Sequence, residues 1–384
     1  MRRLTTLFLS IAVVAGVSAA CGGGSGGDDA TKASSSPQRA ESTPARASTP
    51  ARVTVADLKD LDLQGIAVGP DGSVYLADTV GSRVLQVDGD GKVTNYAGKP
   101  GFYEFEGDGG RAADASLHGP TGLAVDSAGN LYIVDHGNNR VRKVDQEGTI
   151  TTVVGSGAVG TDAGSFSGDG GPATKAMLRE PIGIAVDRSG GLYVADRDNY
   201  RVRAVDSGGT ITTLAGNGST GPTRREGPAT EATLELPVGV ATGPNGSVYI
   251  SDEEAHRILK VDAGGTLTRF AGTGKPGYSG DGGPAAHAKL NGPYLMANDA
   301  RGNLYIADAL NHVIRVVDRK GNIRTAAGTG TAGFRGDGGP ATKARLNEPY
   351  GVAVDASGAV YIGDHGNGRV RRVNRSGTIT TIVP

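Results

Sequence analysis

The chain has 384 residues, with 39 Lys and Arg against 40 Asp and Glu, a single cysteine and no tryptophan. Near-zero net charge removes the electrostatic case for nucleic acid or anionic lipid as a general partner. A lone cysteine excludes an intrachain disulfide, and past the N-terminus no segment is long and apolar enough to span a bilayer.

Residues 1–20 read as a secretory signal peptide. Arg2 and Arg3 give a basic start, Leu7 to Val17 is mostly apolar, and Ser18-Ala19-Ala20 is a small-residue cleavage region. Cys21 follows at once. An unpaired thiol in that place resembles the lipid-modified cysteine of bacterial lipoproteins, although Ser18 stands where that family usually has Leu or Val. Lipidation at Cys21 would add two acyl chains, and stable anchoring needs about two signals. The expected location is the cell envelope, extracytoplasmic and lipid-anchored to a membrane, with plain secretion as the alternative. Residues 21–52 are a Gly-, Ser-, Thr- and Pro-rich mixture that cannot bury a core and read as a flexible linker.

The globular part, 53–384, repeats one 34-residue core six times without an internal gap, at 65–98, 122–155, 183–216, 239–272, 295–328 and 351–384. All length variation falls in one connection per repeat. Each core carries four strand signals, A to D, between turn signals. In the second copy they are 122–125, 131–134, 140–144 and 149–154. Polarity rises from A to D, as in a radial blade whose inner strand is crowded and whose outer strand meets water. Strands A and B are apolar at successive positions, so both of their faces are covered. The fold class is therefore all-β, a six-bladed β-propeller of four-stranded antiparallel blades. No blade is split between the termini, and Val53–Leu58 is expected either to add a closing strand or to pack under the seam.

Two features recur at fixed places. Tyr75, Tyr132, Tyr193, Tyr249, Tyr305 and Tyr361 hold one position and read as blade-to-blade packers. Asp78, Asp135, Asp196, Asp252, Asp308 and Asp364 close strand B. Each is expected to cap its turn and face the Arg that opens strand C (Arg83, Arg140, Arg201, Arg257, Arg369), with Val313 the exception. Sixfold recurrence speaks for scaffold, because a reaction needs a unique arrangement.

The cores resemble NHL repeats over nearly all of 65–384. The matching text is Gly-Ile-Ala-Val, Asn-Leu-Tyr-Ile-Ala-Asp at 303–308, Asn311-His312-Val313 and Ile-Thr-Thr-Leu-Ala-Gly at 211–216. The loop 166–178, with its Gly-Asp-Gly-Gly and Pro-Ala-Thr-x-Ala-x-Leu, recurs at 278–290 and 334–346, and more loosely at 105–117. It is similar to loops of secreted bacterial NHL proteins and of the teneurin NHL domain. Loop 222–234 lacks the Gly-Asp-Gly-Gly core. The resemblance implies a six-bladed propeller and no one activity, since such propellers serve as binding modules, sensor domains and occasionally lyases.

Gly-Asp-Gly-Gly offers too few oxygens for calcium and no following Gly-Lys-Ser/Thr for phosphate, so an Asx-type turn is expected and no cofactor or metal is assigned. With scaffold in the recurrent residues, function is expected where copies diverge on the face shared by the D–A and B–C loops. Four residues before the aligned Gly or Leu stand His118, Arg179, Glu235, Asn291 and Asn347, with Asp62 corresponding in blade 1. Just before strand A stand Gln64, Thr121, Ile182, Val238, Tyr294 and Tyr350. His118, Thr121, Arg179, Glu235, Asn291, Tyr294, Asn347 and Tyr350 are the ligand-binding candidates, suited to an asymmetric extracytoplasmic protein, peptide or cell-wall component. Capping of the loop before Pro is the competing reading for the first set. Phe102-Tyr103-Glu104-Phe105 suits a protein contact, or folds over its own loop. The alternative function is a metal-dependent lyase or lactonase-like enzyme in the channel, resting on His118, His136 and His365.

Overall fold

The computed structural model describes residues 61–157, 166–221 and 226–384, together with Val53 and Leu58. The signal peptide, Cys21 and the linker lie outside the described residues. Six antiparallel sheets each take their four strands in chain order from a single repeat. Blade 4 carries a fifth outer strand, Glu226–Pro228, paired with Thr266–Ala271.

Local chemistry sets each hairpin. In blade 2, strand A is Pro120–Val125 and strand B is Leu131–Asp135. Between them Asp126 Oδ1 accepts the N–H groups of Ala128 (3.0 Å) and Asn130 (2.9 Å), while Gly129 supplies φ 87°. Strands B and C pair from Leu131↔Val144 to Asp135↔Arg140. In each D–A loop a 3₁₀ turn follows the Pro-Ala or Arg-Ala step, as at Ala173–Lys175 after Pro172.

Blades cohere through apolar side chains between neighbours. Tyr75 packs with Leu123 and Ile133 of blade 2, and Tyr132 with Ile184 and Val194 of blade 3. Blade 6 meets blade 1 the same way. Ala353, Tyr361 and Val370 share a core with Leu63, Ile66, Leu76 and Leu58, and Val53 packs against it. The ring is thus closed by side-chain packing between blades 1 and 6, and Leu58 lies under that seam.

The glycine that stands third in most inner strands is required by close approach. A Cβ on Gly183 would stand 2.3 Å from the Val238 carbonyl oxygen of the next blade, and one on Gly122 2.4 Å from that of Ile182. Blade 5 has Leu295 there. It donates its N–H to Tyr350 O (3.2 Å), and the inner strand of blade 6 is correspondingly short, Gly351–Val354.

Candidate functional site

The D–A and B–C loops share a face. Gly137 N–H donates to His118 O (2.9 Å), Glu253 N–H to Leu236 O (2.9 Å) and Gly366 N–H to Asn347 O (2.8 Å). The closing Asp anchors both loops. Its Oδ1 accepts the backbone N–H of His118 (2.7 Å), Arg179 (2.7 Å), Glu235 (2.9 Å), Asn291 (2.7 Å), Asn347 (2.7 Å) and, in blade 1, Asp62 (3.3 Å). These six positions are therefore equivalent and structural through their backbones. Their side chains, free to differ, stand at the rim.

The partner of that Asp differs from the sequence expectation. Only Arg83 and Arg257 reach it, at 2.8 and 2.7 Å. In blades 2, 3, 5 and 6 the cation is the Arg two residues beyond the start of strand C. Arg142, Arg203, Arg315 and Arg371, all fully buried, lie 3.3–3.5 Å from Asp135, Asp196, Asp308 and Asp364. Arg140 and Arg201 instead donate to loop carbonyls.

The Gly-Asp-Gly-Gly aspartate completes this buried pair and does not form an Asx-type turn. Asp108, Asp169, Asp281 and Asp337 reach Arg142, Arg203, Arg315 and Arg371 at 2.5–2.7 Å, and Asp169 Oδ2 also accepts from Thr213 N and Oγ1. Phe105, Phe166, Tyr278 and Phe334 lie over the same guanidiniums, with centroids at 4.5–5.1 Å. Phe105 thus packs on Arg140 and Arg142 of strand C in blade 2. Where loop 222–234 lacks the aspartate, strand C carries Leu259; blade 1 has Leu85 there. Burial pushes the carboxyls of Asp196 and Asp308 up to about 6 against the hydrogen bonds and the Arg beside them.

Inside the rim lies a second ring, formed by the residue after each closing Asp: Thr79, His136, Arg197, Glu253, Ala309 and His365. Thr79 Oγ1 donates to Pro120 O (2.8 Å). His136 Nδ1 lies 2.9 Å from Pro181 O, and its Nε2 lies 2.7 Å from Glu180 Oε2. Pro181 O and the Glu180 carboxyl thus both face the ring nitrogens. The bond from His136 holds the Glu180 carboxyl below its ordinary value. Burial pushes Glu253 up to about 7, even with the Arg197 charge nearby. Tyr294, Tyr350 and His365 form one stack, with centroids 4.4 and 4.1 Å apart. His365 Nδ1 is 3.1 Å from Asp62 Oδ1 across the closure seam.

The set just before strand A lies deeper. Gln64, Thr121, Ile182, Val238 and Tyr294 are buried, and Ile182, Val238 and Tyr294 share one core. Thr121 Oγ1 donates to Ile182 O (3.0 Å), and Tyr294 OH to Gln64 Oε1 (3.2 Å). Thr121 and Tyr294 are thereby withdrawn from solvent and fill the axis, while Tyr350 stays half-buried above them.

The histidines are not brought together. Among the described residues no three His, Cys, Asp or Glu side chains form a group able to hold a metal. His118 is exposed and tilted against Tyr103 at 5.8 Å, whereas His136 and His365 are engaged as above. His256 and His312 use Nδ1 to accept the N–H of Gly292 and Glu348 (3.1 Å each), stapling one blade to the next.

A family model described as the teneurin NHL domain matches residues 98–165, 160–225 and 330–384, and the NHL repeat model matches 234–261. Together with six closed four-stranded blades, this decides the family. The chain belongs to the NHL-repeat β-propellers. It is 30% identical over 293 residues to the SUPPRESSOR OF QUENCHING 1 protein, chloroplastic, of Arabidopsis thaliana, covering 72% of this chain and 26% of that protein. It is 32% identical over 238 residues to Teneurin-1 of Homo sapiens, covering 56% of this chain and 8% of that protein. The chain thus spans about a quarter of the one relative and under a tenth of the other. A solved protein of unknown function from Bacteroides thetaiotaomicron superposes with TM-score 0.60 at 21% identity, over 82% of this chain and 69% of that one. That likeness concerns the fold alone.

Large apolar side chains also reach the surface of this NHL propeller. Its exposed large hydrophobics among the described residues are Val80, Phe102, Tyr103, Tyr278, Leu310 and Phe334. Val80 and Leu310 lie in B–C loops and the other four in D–A loops. The inner ring, with Arg197 and Glu253, escaped the sequence reading apart from its histidines. Reading the residue after each recurrent Asp across all six copies would have exposed it.

Proposed function

We propose that this NHL propeller is a lipid-anchored, extracytoplasmic binding module that captures a protein, peptide or cell-wall ligand on its D–A/B–C face. One observation carries the reading: every exposed large hydrophobic among the described residues lies in a B–C or D–A loop, and two of them flank the rim, Tyr103 against His118 and Leu310 with its N–H on Asn291 O. Exposed apolar side chains beside a polar rim suit a contact surface. At its centre the inner ring offers a cation at Arg197, a half-buried carboxyl at Glu253 and the edge of the Tyr350 stack. A scaffold that repeats sixfold thus presents a centre without sixfold symmetry, as recognition of an asymmetric ligand requires. The Cys21 anchor would tether the propeller to the membrane through the 21–52 linker.

The test is capture from intact envelope by the full chain, compared with Arg197→Ala, Glu235→Ala and Tyr350→Ala. The proposal expects a specific ligand whose recovery falls about tenfold or more in Arg197→Ala or Tyr350→Ala, with melting temperature held. Capture equal to that of the unsubstituted chain in all three variants removes the site.

A further inference from the structure

The opposite face, built from the A–B and C–D turns, carries two grooves that the reading above does not use. The larger, about 730 Å³, lies under blades 3, 4 and 5. The smaller, about 450 Å³, lies between blades 5 and 6. They share the turn Asp299-Ala300-Arg301 as a common wall, so they form one interrupted track.

The track is cationic although the chain is nearly neutral. Arg188, Arg301 and Arg319 line the larger groove, and Arg301, Arg324 and Arg375 the smaller. No hydrogen bond or ion pair to a described residue engages the guanidiniums of Arg188, Arg301 or Arg319. The carboxylates beside them are turned inward. Asp187 accepts from Ser189 N (2.8 Å), Gly191 N (2.9 Å) and Tyr193 OH (3.1 Å). Asp299 accepts from Arg301 N (2.9 Å), Asn303 N (2.8 Å) and Asn303 Nδ2 (2.7 Å). Blade 4 contributes no carboxylate, because Gly243 stands where blades 3 and 5 have Asp187 and Asp299.

A second observation concerns hydroxyl chemistry. Asn298 lines the larger groove and donates Nδ2 to Thr242 O (2.8 Å). That bond fixes the amide orientation and leaves Oδ1 a buried acceptor without a partner. Unpaired guanidiniums ask for anions, and an orphaned amide oxygen asks for a donor such as a hydroxyl. Among the described residues, none of the exposed large hydrophobics lies in an A–B or C–D turn, so these turns offer no large apolar side chain to a bilayer.

We propose that the turn face of blades 3 to 6 binds a soluble polyanionic chain whose anionic groups, phosphate or carboxylate, are joined by hydroxyl-bearing polyol or sugar units. The anions lie against Arg188, Arg301 and Arg319, and a hydroxyl donates to Asn298 Oδ1. The chain crosses the shared turn toward Arg324 and Arg375.

The test is titration of the full chain with poly(glycerol phosphate), polygalacturonate, inorganic polyphosphate and phosphatidylglycerol vesicles at low and high salt. Saturable binding of either hydroxyl-bearing polymer is expected, weakening with salt because exposed charges are screened. The anion preferred names the source. Arg188→Gln/Arg301→Gln/Arg319→Gln should weaken binding by about tenfold or more, each exposed pair adding a modest increment. Asn298→Ala should abolish the preference over polyphosphate. Tyr350→Ala, on the far face, should bind as the unsubstituted chain does, which separates this site from the proposed ligand site. Absence of binding, binding indifferent to the triple substitution, or binding to vesicles alone overturns the proposal.

Discussion

Arg203→Leu tests how the loops are held, because the molecule already contains the leucine version. Arg203 is fully buried, 3.3 Å from Asp196 and 2.6 Å from Asp169, with the Phe166 ring over it at 4.5 Å. Breaking a buried pair by removing one partner costs about 3–5 kcal/mol. The partly exposed Asp169 end adds under about 1 kcal/mol, and the ring contact roughly 0.5–1 kcal/mol. An offset exists. In blade 4, where Leu259 holds this place, Arg257 turns to Asp252 at 2.7 Å. Arg201 could turn to Asp196 likewise by leaving the carbonyls of Asn199 and Asn217. The single substitution should therefore cost about 3 kcal/mol, or roughly 4–5 °C in melting temperature for a domain of this size. Arg201→Ala alone should cost under about 1 kcal/mol. The double variant should exceed the sum of the two, since the substitute cation is then gone. Leu259→Arg should also destabilise, because Arg225 stands in the sequence where the other loops have the pairing aspartate. Urea unfolding with calorimetry reads all four. A loss under about 1 kcal/mol for Arg203→Leu, or strict additivity in the double variant, refutes the reasoning.

Two further outcomes follow from packing and burial. Glu253 carries a folded-state value of about 7 against an ordinary 4.5, so the native state holds its proton more tightly across that window. Its contribution to stability is full below about pH 4.5 and is lost as pH rises through about 7. Glu253→Gln should match the unsubstituted chain at pH 4 and exceed it at pH 8 by about 1–3 kcal/mol, measured by unfolding at both pH values; a variant less stable at pH 8 contradicts the burial argument. Gly183→Ala drives a methyl to within 2.3 Å of Val238 O and should cost about 2–4 kcal/mol. Gly89→Ala meets nothing within 4 Å and should be neutral, so equal melting temperatures for the two would refute close blade approach.

The repeat made the blades legible because strand period, turn residues and packing tyrosines are local signals. The six Tyr positions and the Asp that closes strand B stand where the repeats place them. The long-range partner of that Asp was not legible from one copy. An Arg-Val alternation in strand C looks like a half-wet strand, yet Arg142, Arg203, Arg315 and Arg371 point into a buried pocket roofed by the preceding loop. The signal lay in comparing copies: the Gly-Asp-Gly-Gly aspartate and the second strand-C arginine are present together in four blades and absent together at Leu85 and Leu259. At the mouth, spacing located the rim but not its depth. Thr121, Tyr294 and Tyr350 hold one position in the repeat, yet the first two lie within their inner strands and are buried, while Tyr350 precedes its strand and stays half-buried.

Site-specific photo-cross-linking in the native envelope tests most directly whether the uneven loop face chooses the partner. A cross-linking residue at Val80 or at Leu310, 70% and 47% exposed in B–C loops of blades 1 and 5, should trap one common species. The same group at Arg269, on the fourth strand of blade 4, Thr266–Ala271, should not. Equal trapping at all three positions, or trapping only at Arg269, would contradict the account.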